Sequence, residues 1–211
     1  MFIETFSAED LSVFVDKLII QNPHFQVIIE KHGTPPFWHR EPNFETLIRV
    51  ILEQQVSLAS AKAAYDKLIQ KINNITPQKV LALTDEELKS CYFSRQKIKY
   101  ARALSEEIES KRLDIELLNQ KSEPEIRAKL TKVKGIGNWT VDVYLLLCLH
   151  HIDIFPIGDL AAVNALRMLG LTTKASQKEE ILALMETAKP YRSVATYLLW
   201  HYYIEEKGLK V

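Results

Sequence analysis

Two glycines and one aspartate carry the chemistry-bearing pattern of this chain. Gly135 and Gly137 flank a single apolar residue, Ile136, and are followed by Asn138 and an apolar helical run. The chain then reads Asp153-Ile154-Phe155-Pro156-Ile157-Gly158 and reaches Asp159. Glycine permits a tight turn and lets backbone amides approach a ligand with no side chain in the way. A helix that begins near Asn138, a good capping residue, aims its unpaired amides and positive dipole end where a phosphate oxygen could sit. Asp159 stands at the head of a second run, Leu160 to Leu169, where a carboxylate caps the helix, faces a reacting group, or does both. A Gly-x-Gly turn is also compatible with a plain connection between two core helices. Together, a phosphate-gripping turn and a downstream acid are the parts needed to hold DNA and cut a bond in it.

The elements that must position these residues read as helices. Ser122, Glu123, Pro124 and Glu125 spell a helix start with capping-box spacing, and Ile126, Leu130 and Val133 recur on one face, so helix, turn and helix surround Gly135. Thr84 with Glu87 makes a second capping box, Thr76 precedes Pro77 at a first helical turn, and Ser57 can cap a helix from Leu58 to Ile72. Gly33, Gly170 and Gly208 fall where helices stop. Apolar residues recur at spacings of three and four in Leu11 to Ile20, Phe44 to Leu52, Ile98 to Ile108, Ile181 to Met185 and Val194 to Tyr203. No strand pattern competes, and the expected class is all-α.

Composition narrows the function classes. The 211 residues suffice for a sizeable core. Only two cysteines occur, Cys91 and Cys148, each among apolar neighbours, which implies buried reduced thiols rather than a disulfide framework or a metal cluster. No 18-residue apolar span and no charged-then-apolar leader appears, so the expectation is a soluble protein without membrane attachment, cytoplasmic and nucleoid-associated, or nuclear in a eukaryote. Net charge is zero, yet residues 94–134 hold 11 Lys or Arg against 7 Asp or Glu, while residues 1–60 hold 4 against 8. The basic excess therefore surrounds the glycine turn, as a phosphate contact requires, although such a run also suits a solvated helix face. His150 and His151 are adjacent, point apart on a helix and have no third ligand at a useful spacing, so they read as helix-end residues.

Four segments in order give the chain a family likeness: Phe44 to Ser57 (FETLIRVILEQQVS), Ser94 to Leu104 (SRQKIKYARAL), the glycine turn with Asp159, and Pro190 to Trp200 (PYRSVATYLLW). They resemble the helix-hairpin-helix DNA glycosylase superfamily, and within it the alkylation-repair branch, DNA-3-methyladenine glycosylase II. The resemblance implies a two-lobed all-α fold with a DNA and base-binding cleft between the lobes. Residues 1–43 and 155–211 would form one lobe, and 44–154 the other, with the helix-hairpin-helix at about 123–149. It implies a monomer acting on double-stranded DNA that contains alkylated bases. No cofactor is required. An iron–sulfur cluster of the kind some members carry needs four thiolates, which two cysteines cannot supply.

The same resemblance assigns roles. Asp159 is the catalytic candidate, stabilising the cationic sugar or orienting the attacking water. Strand-cleaving members place a lysine two positions after the second glycine; this chain has Trp139 there, which implies base removal without lyase activity and a ring to stack on the flipped base. Trp38, Phe37 and Tyr191 are further pocket candidates, with Trp200 a plausible addition. Gly135, Gly137, Lys134, Asn138 and Thr140 would meet DNA at the hairpin, and Arg95, Lys97, Gln54 and Ser57 would do so elsewhere. Gln55 resembles the wedge that fills the gap left by an extruded base. Backbone carbonyls of Thr131, Val133 and Ile136 would hold a sodium or potassium ion. Tyr191 stands where many relatives have Trp, which leaves the substrate range open. The rival readings are an oxidised-base glycosylase, opposed by Trp139, a noncatalytic helix-hairpin-helix DNA-binding module, and an all-α interaction protein.

Overall fold

The computed structural model describes residues 5–209, and among these the regular structure is helical, with a lone bridge between Thr5 and His151. The helices are α1 (Leu11–Gln21), α2 (Gln26–His32), α3 (Phe44–Glu53), α4 (Leu58–Ile72), α5 (Pro77–Ala82), α6 (Asp85–Ser90) and α7 (Arg95–Glu109). They continue as α8 (Ile115–Leu118), α9 (Glu123–Leu130), α10 (Asn138–Leu147), α11 (Leu160–Met168), α12 (Lys178–Glu186) and α13 (Arg192–Lys207). The starts follow the expected caps. Thr84 and Glu87 bond reciprocally, Ser122 N–H meets the Glu125 carboxylate at 3.1 Å, and Ser57 and Thr76 accept amides three residues on. Gly33 and Gly208 end α2 and α13 at φ 75° and 58°, a region glycine enters without strain. The short α8 had no sequence signal beyond Asp114, whose carboxylate accepts the Leu117 N–H at 3.0 Å.

The chain divides into two compact units. One is Arg40–Tyr144; the other joins Met1–His39 to Leu145–Val211, its outermost residues 1–4 and 210–211 lying outside the described ones. The expected division at 154/155 differs, because the boundary falls inside α10. Residues 150–154 are tied to the unit of the chain ends by backbone bonds: Phe6 N–H to His150 O at 3.0 Å and Ser193 N–H to Ile152 O at 3.0 Å.

In the unit of the chain ends, α13 is the central element, packed against α1, α2 and α11. Its residues 193–199 are all buried, as a helix surrounded by others requires. In the other unit, α3 packs on α4 and α7, and Leu47, Ile48, Val50, Ile51 and Leu52 are fully buried. Apolar burial of this kind is the dominant stabilising term in each unit.

Candidate active site

The segment that delivers Asp159 is held by one face of α13. Ser193, Thr196 and Trp200 recur at helical spacing and so share that face. Ser193 Oγ donates to His151 O at 2.5 Å and accepts the Ile154 N–H at 2.9 Å, while Arg192 grips the Asp153 carboxylate with Nε at 2.6 Å and Nη2 at 3.0 Å. The extended run is thus fixed before it turns at Pro156, whose carbonyl accepts the Asp159 N–H at 2.7 Å.

Asp159 caps α11 as expected. Its Oδ1 accepts the Ala162 N–H at 2.9 Å and also the Trp200 indole N–H at 3.1 Å. The residue is only 9% exposed. Two donors on one oxygen fix the carboxylate plane, which is what an electrostatic catalyst needs: an anion that does not reorganise when positive charge develops beside it. Trp200 is half-buried and stacks on Tyr197 at 6.0 Å, with Trp38 edge-on to both at 6.1 and 5.3 Å. Tyr197 donates its hydroxyl to Trp38 O at 2.7 Å, and burial pushes its phenol well above the ordinary tyrosine range, so it stays a donor.

Of the pocket candidates in this unit, Trp38 joins the aromatic group at Asp159. Phe37 lies 4.5 Å from the His150 ring and 5.7 Å from Phe6, on a layer that continues to His39. Tyr191 stacks on Phe14 of α1 at 5.5 Å, a packing contact between α1 and the start of α13. His150 ends up neither on a helix nor idle: it adopts φ 49°, and its Nε2 lies 2.9 Å from His39 Nδ1.

The hairpin belongs to the other unit. Arg127 staples its two helices, reaching Glu123 and Asp142 at 2.8 Å each and Asn138 Oδ1 at 3.4 Å. Gly135 takes φ 94°, and a Cβ there would lie 2.0 Å from Tyr100 Cγ, so both the conformation and the space demand glycine. Gly137, rather than Asn138, holds the cap position of α10: its carbonyl accepts the Val141 N–H at 3.2 Å, and Asn138 is already helical. A glycine at the cap brings no side-chain oxygen of its own to the first turn of α10. Lys134, Gly137 and Asn138 are exposed, and Trp139 is half-buried in the first turn.

Several expected DNA contacts have other partners. Thr140 is buried, and its Oγ1 accepts a hydrogen bond from Gln54, whose Nε2 also donates to Gly135 O at 2.9 Å. Gln54 therefore braces the turn from the end of α3. Lys97 donates to Leu52 O at 2.5 Å, satisfying the C-terminal end of α3, and burial lowers its pKa. Gln55 is exposed at φ 56°, Ser57 is occupied capping α4, and Arg95 is exposed at the start of α7. Sequence reading missed Tyr100 and Arg127 as supports of the hairpin. Their signal was faint: an aromatic outside the pocket segments, and an Arg and an Asp either side of the glycines.

Residues 48–190 match the family of HhH-GPD superfamily base excision DNA repair proteins. The chain belongs to that superfamily. DNA-3-methyladenine glycosylase 1 of Schizosaccharomyces pombe is 32% identical over 76% of this chain and 72% of its own length. The solved DNA-3-methyladenine glycosidase of Bacillus halodurans is 29% identical, with a TM-score of 0.71 over 93% of this chain and 91% of that one. The S. pombe 3-methyladenine DNA glycosylase in complex with abasic DNA is 27% identical, with a TM-score of 0.77 over 87% of this chain and 95% of that one. The all-α helix-hairpin-helix architecture is thus that of the superfamily, and the Gly135 turn and Asp159 both lie within the matched residues.

Proposed function

We propose that this chain is a monofunctional DNA glycosylase that removes alkylated purines of the 3-methyladenine and 7-methylguanine type, flipping the base out of duplex DNA and hydrolysing its N-glycosidic bond. The observation that carries the reading is the Asp159 carboxylate, nearly buried, held by Ala162 N–H and Trp200 Nε1–H, and set beside the aromatic group of Trp38, Tyr197 and Trp200. The substrate class is supported by the names that the similar proteins bear.

In the proposed reaction the bond from C1′ to the purine nitrogen breaks and its electron pair leaves with the base. Alkylation at a ring nitrogen has already made that base cationic, so it departs neutral and needs little acid help. Positive charge moves to the deoxyribose, where the Asp159 anion stabilises it. Water adds to C1′ and gives its proton to the carboxylate or to solvent, leaving an abasic site on an intact strand. Trp38 is assigned to stack on the electron-poor base and Gln55 to fill the gap in the duplex. No lysine stands at the position of Trp139 to form a Schiff base. The α10 amides and Lys134 are assigned to a backbone phosphate. A monovalent cation on the carbonyls of Thr131, Val133 and Ile136 would reinforce that contact. Val133 O accepts one hydrogen bond, from Ile136 N–H at 3.0 Å, and a carbonyl has a second lone pair to offer.

Chromatography of bases released from methylated DNA tests the reading with Asp159→Asn, since asparagine still caps α11 but carries no charge. Release should fall by roughly 100-fold or more while binding to duplex DNA persists. Equal release by both proteins would remove Asp159 from the mechanism.

A further inference from the structure

Asp159 stands at one end of α11, and a second feature lies at the other end, nine residues and about 13 Å along the helix. There the ends of α11 and α13 and the loop between α11 and α12 enclose a depression of about 480 Å³, lined by Arg167, Thr172, Lys174, Tyr203 and Lys207, among others, and by no carboxylate. Arg167 and Lys207 sit in the last turns of their helices, where the dipole favours a cation with or without a ligand. Lys174 is on a loop and has no such reason to be there. Thr172 is the telling residue: it is 9% exposed, and its Oγ1 is buried without a hydrogen-bond partner. A buried hydroxyl in that state is destabilising, and a turn about its Cα–Cβ bond toward the depression would give it a partner there.

Arg167 is already oriented. Its Nη1 donates to Asn164 Oδ1 at 2.9 Å and its Nε to Thr173 O at 3.4 Å. Those bonds use two of the five guanidinium N–H groups and leave three for an acceptor. Three cations, one of them an oriented guanidinium, and a lone hydroxyl suit a tetrahedral oxyanion. The volume exceeds that of one phosphate and leaves room for an attached nucleoside beside Tyr203.

We propose that this depression binds a phosphate group through Thr172, Arg167, Lys174 and Lys207, independently of the chemistry at Asp159. The group belongs either to a free nucleotide or to a DNA backbone, and the two sources separate experimentally. Calorimetric titration of the intact chain with inorganic phosphate and with deoxyadenosine monophosphate should show binding, weakened about tenfold by Thr172→Val and by Lys174→Gln. Thr172→Val should be no less stable than wild type without phosphate, which separates lost binding from lost folding. Tighter binding of the nucleotide than of phosphate assigns a free ligand. If instead the double variant Lys174→Gln, Lys207→Gln lowers the salt slope of duplex binding by up to about two, the phosphate is the DNA's. No heat with either small ligand together with an unchanged salt slope would overturn the proposal. So would phosphate binding that Thr172→Val and Lys174→Gln leave intact.

Discussion

Trp200 donates its indole N–H to Asp159 Oδ1 at 3.1 Å, and the same oxygen accepts the Ala162 N–H at 2.9 Å. One atom therefore joins the central helix α13 to the start of α11 and aims the carboxylate. Catalysis and capping depend on different properties of that group: the cap needs an acceptor, while a cationic sugar needs charge in a fixed place.

Trp200→Phe separates orientation from charge. Phenylalanine keeps a ring against Tyr197 and Trp38 but removes the donor, and a hydrogen bond to a charged group contributes about 1.5–3 kcal/mol. Single-turnover base release should fall at least roughly tenfold, less than with Asp159→Asn, while DNA affinity holds. Unchanged release would show that the indole only packs.

Gly135→Ala places a methyl group against the Tyr100 ring at a backbone angle that alanine resists. The expected cost is about 1–3 kcal/mol of stability, read as a lower midpoint in urea, with weaker binding to undamaged DNA. Adding Tyr100→Ala should recover part of the steric share, a coupling above about 0.5 kcal/mol in a double-mutant cycle. Strict additivity would mean that the ring moves aside without cost.

Gln54 and Gln55 should behave as opposites. Gln54→Ala removes two hydrogen bonds to the hairpin and leaves Thr140, buried, without that donor, so about 1–3 kcal/mol of stability should go. Gln55→Ala touches no such bond and should leave the denaturation midpoint within about 0.5 kcal/mol, while slowing excision from duplex far more than from single-stranded DNA. Equal effects on both substrates would exclude Gln55 as a wedge.

These two glutamines show where sequence reading stops. Caps were legible because Ser57, Thr84 and Asp159 accept amides three residues away and the Ser122 amide donates to the Glu125 carboxylate at the same spacing, so type and spacing state the interaction. Gln54 and Gln55 are identical and adjacent, and they part only because the chain enters φ 56° at the second. Lys97 looked like a phosphate contact, yet it satisfies a carbonyl of α3 that lies 45 residues away in sequence. The Trp200 indole and Asp159 are 41 apart. Local rules reach one helical turn, whereas these partners are chosen by how helices pack.

His150 supplies a pH dependence that no spacing announced. Burial first, and the neighbouring His39 imidazole second, lower its pKa from 6.5 to about 4. Between those values the unfolded chain binds a proton that the folded chain refuses, so this contribution is fully present above pH 6.5 and is lost as pH falls toward 4. Full burial would make the shift worth about 3 kcal/mol; for a half-buried ring, solvent screening reduces that to about 1–2 kcal/mol. Melting temperature should therefore drop by roughly 2–8 °C more between pH 7.5 and 4.5 in wild type than in His150→Gln, which has no proton to take up there. Parallel profiles for the two proteins would show that the acid sensitivity arises elsewhere. Because His150 packs on Phe37 and Phe6, the same protonation should be visible by NMR as a titrating imidazole with a midpoint near 4, well below that of an exposed histidine.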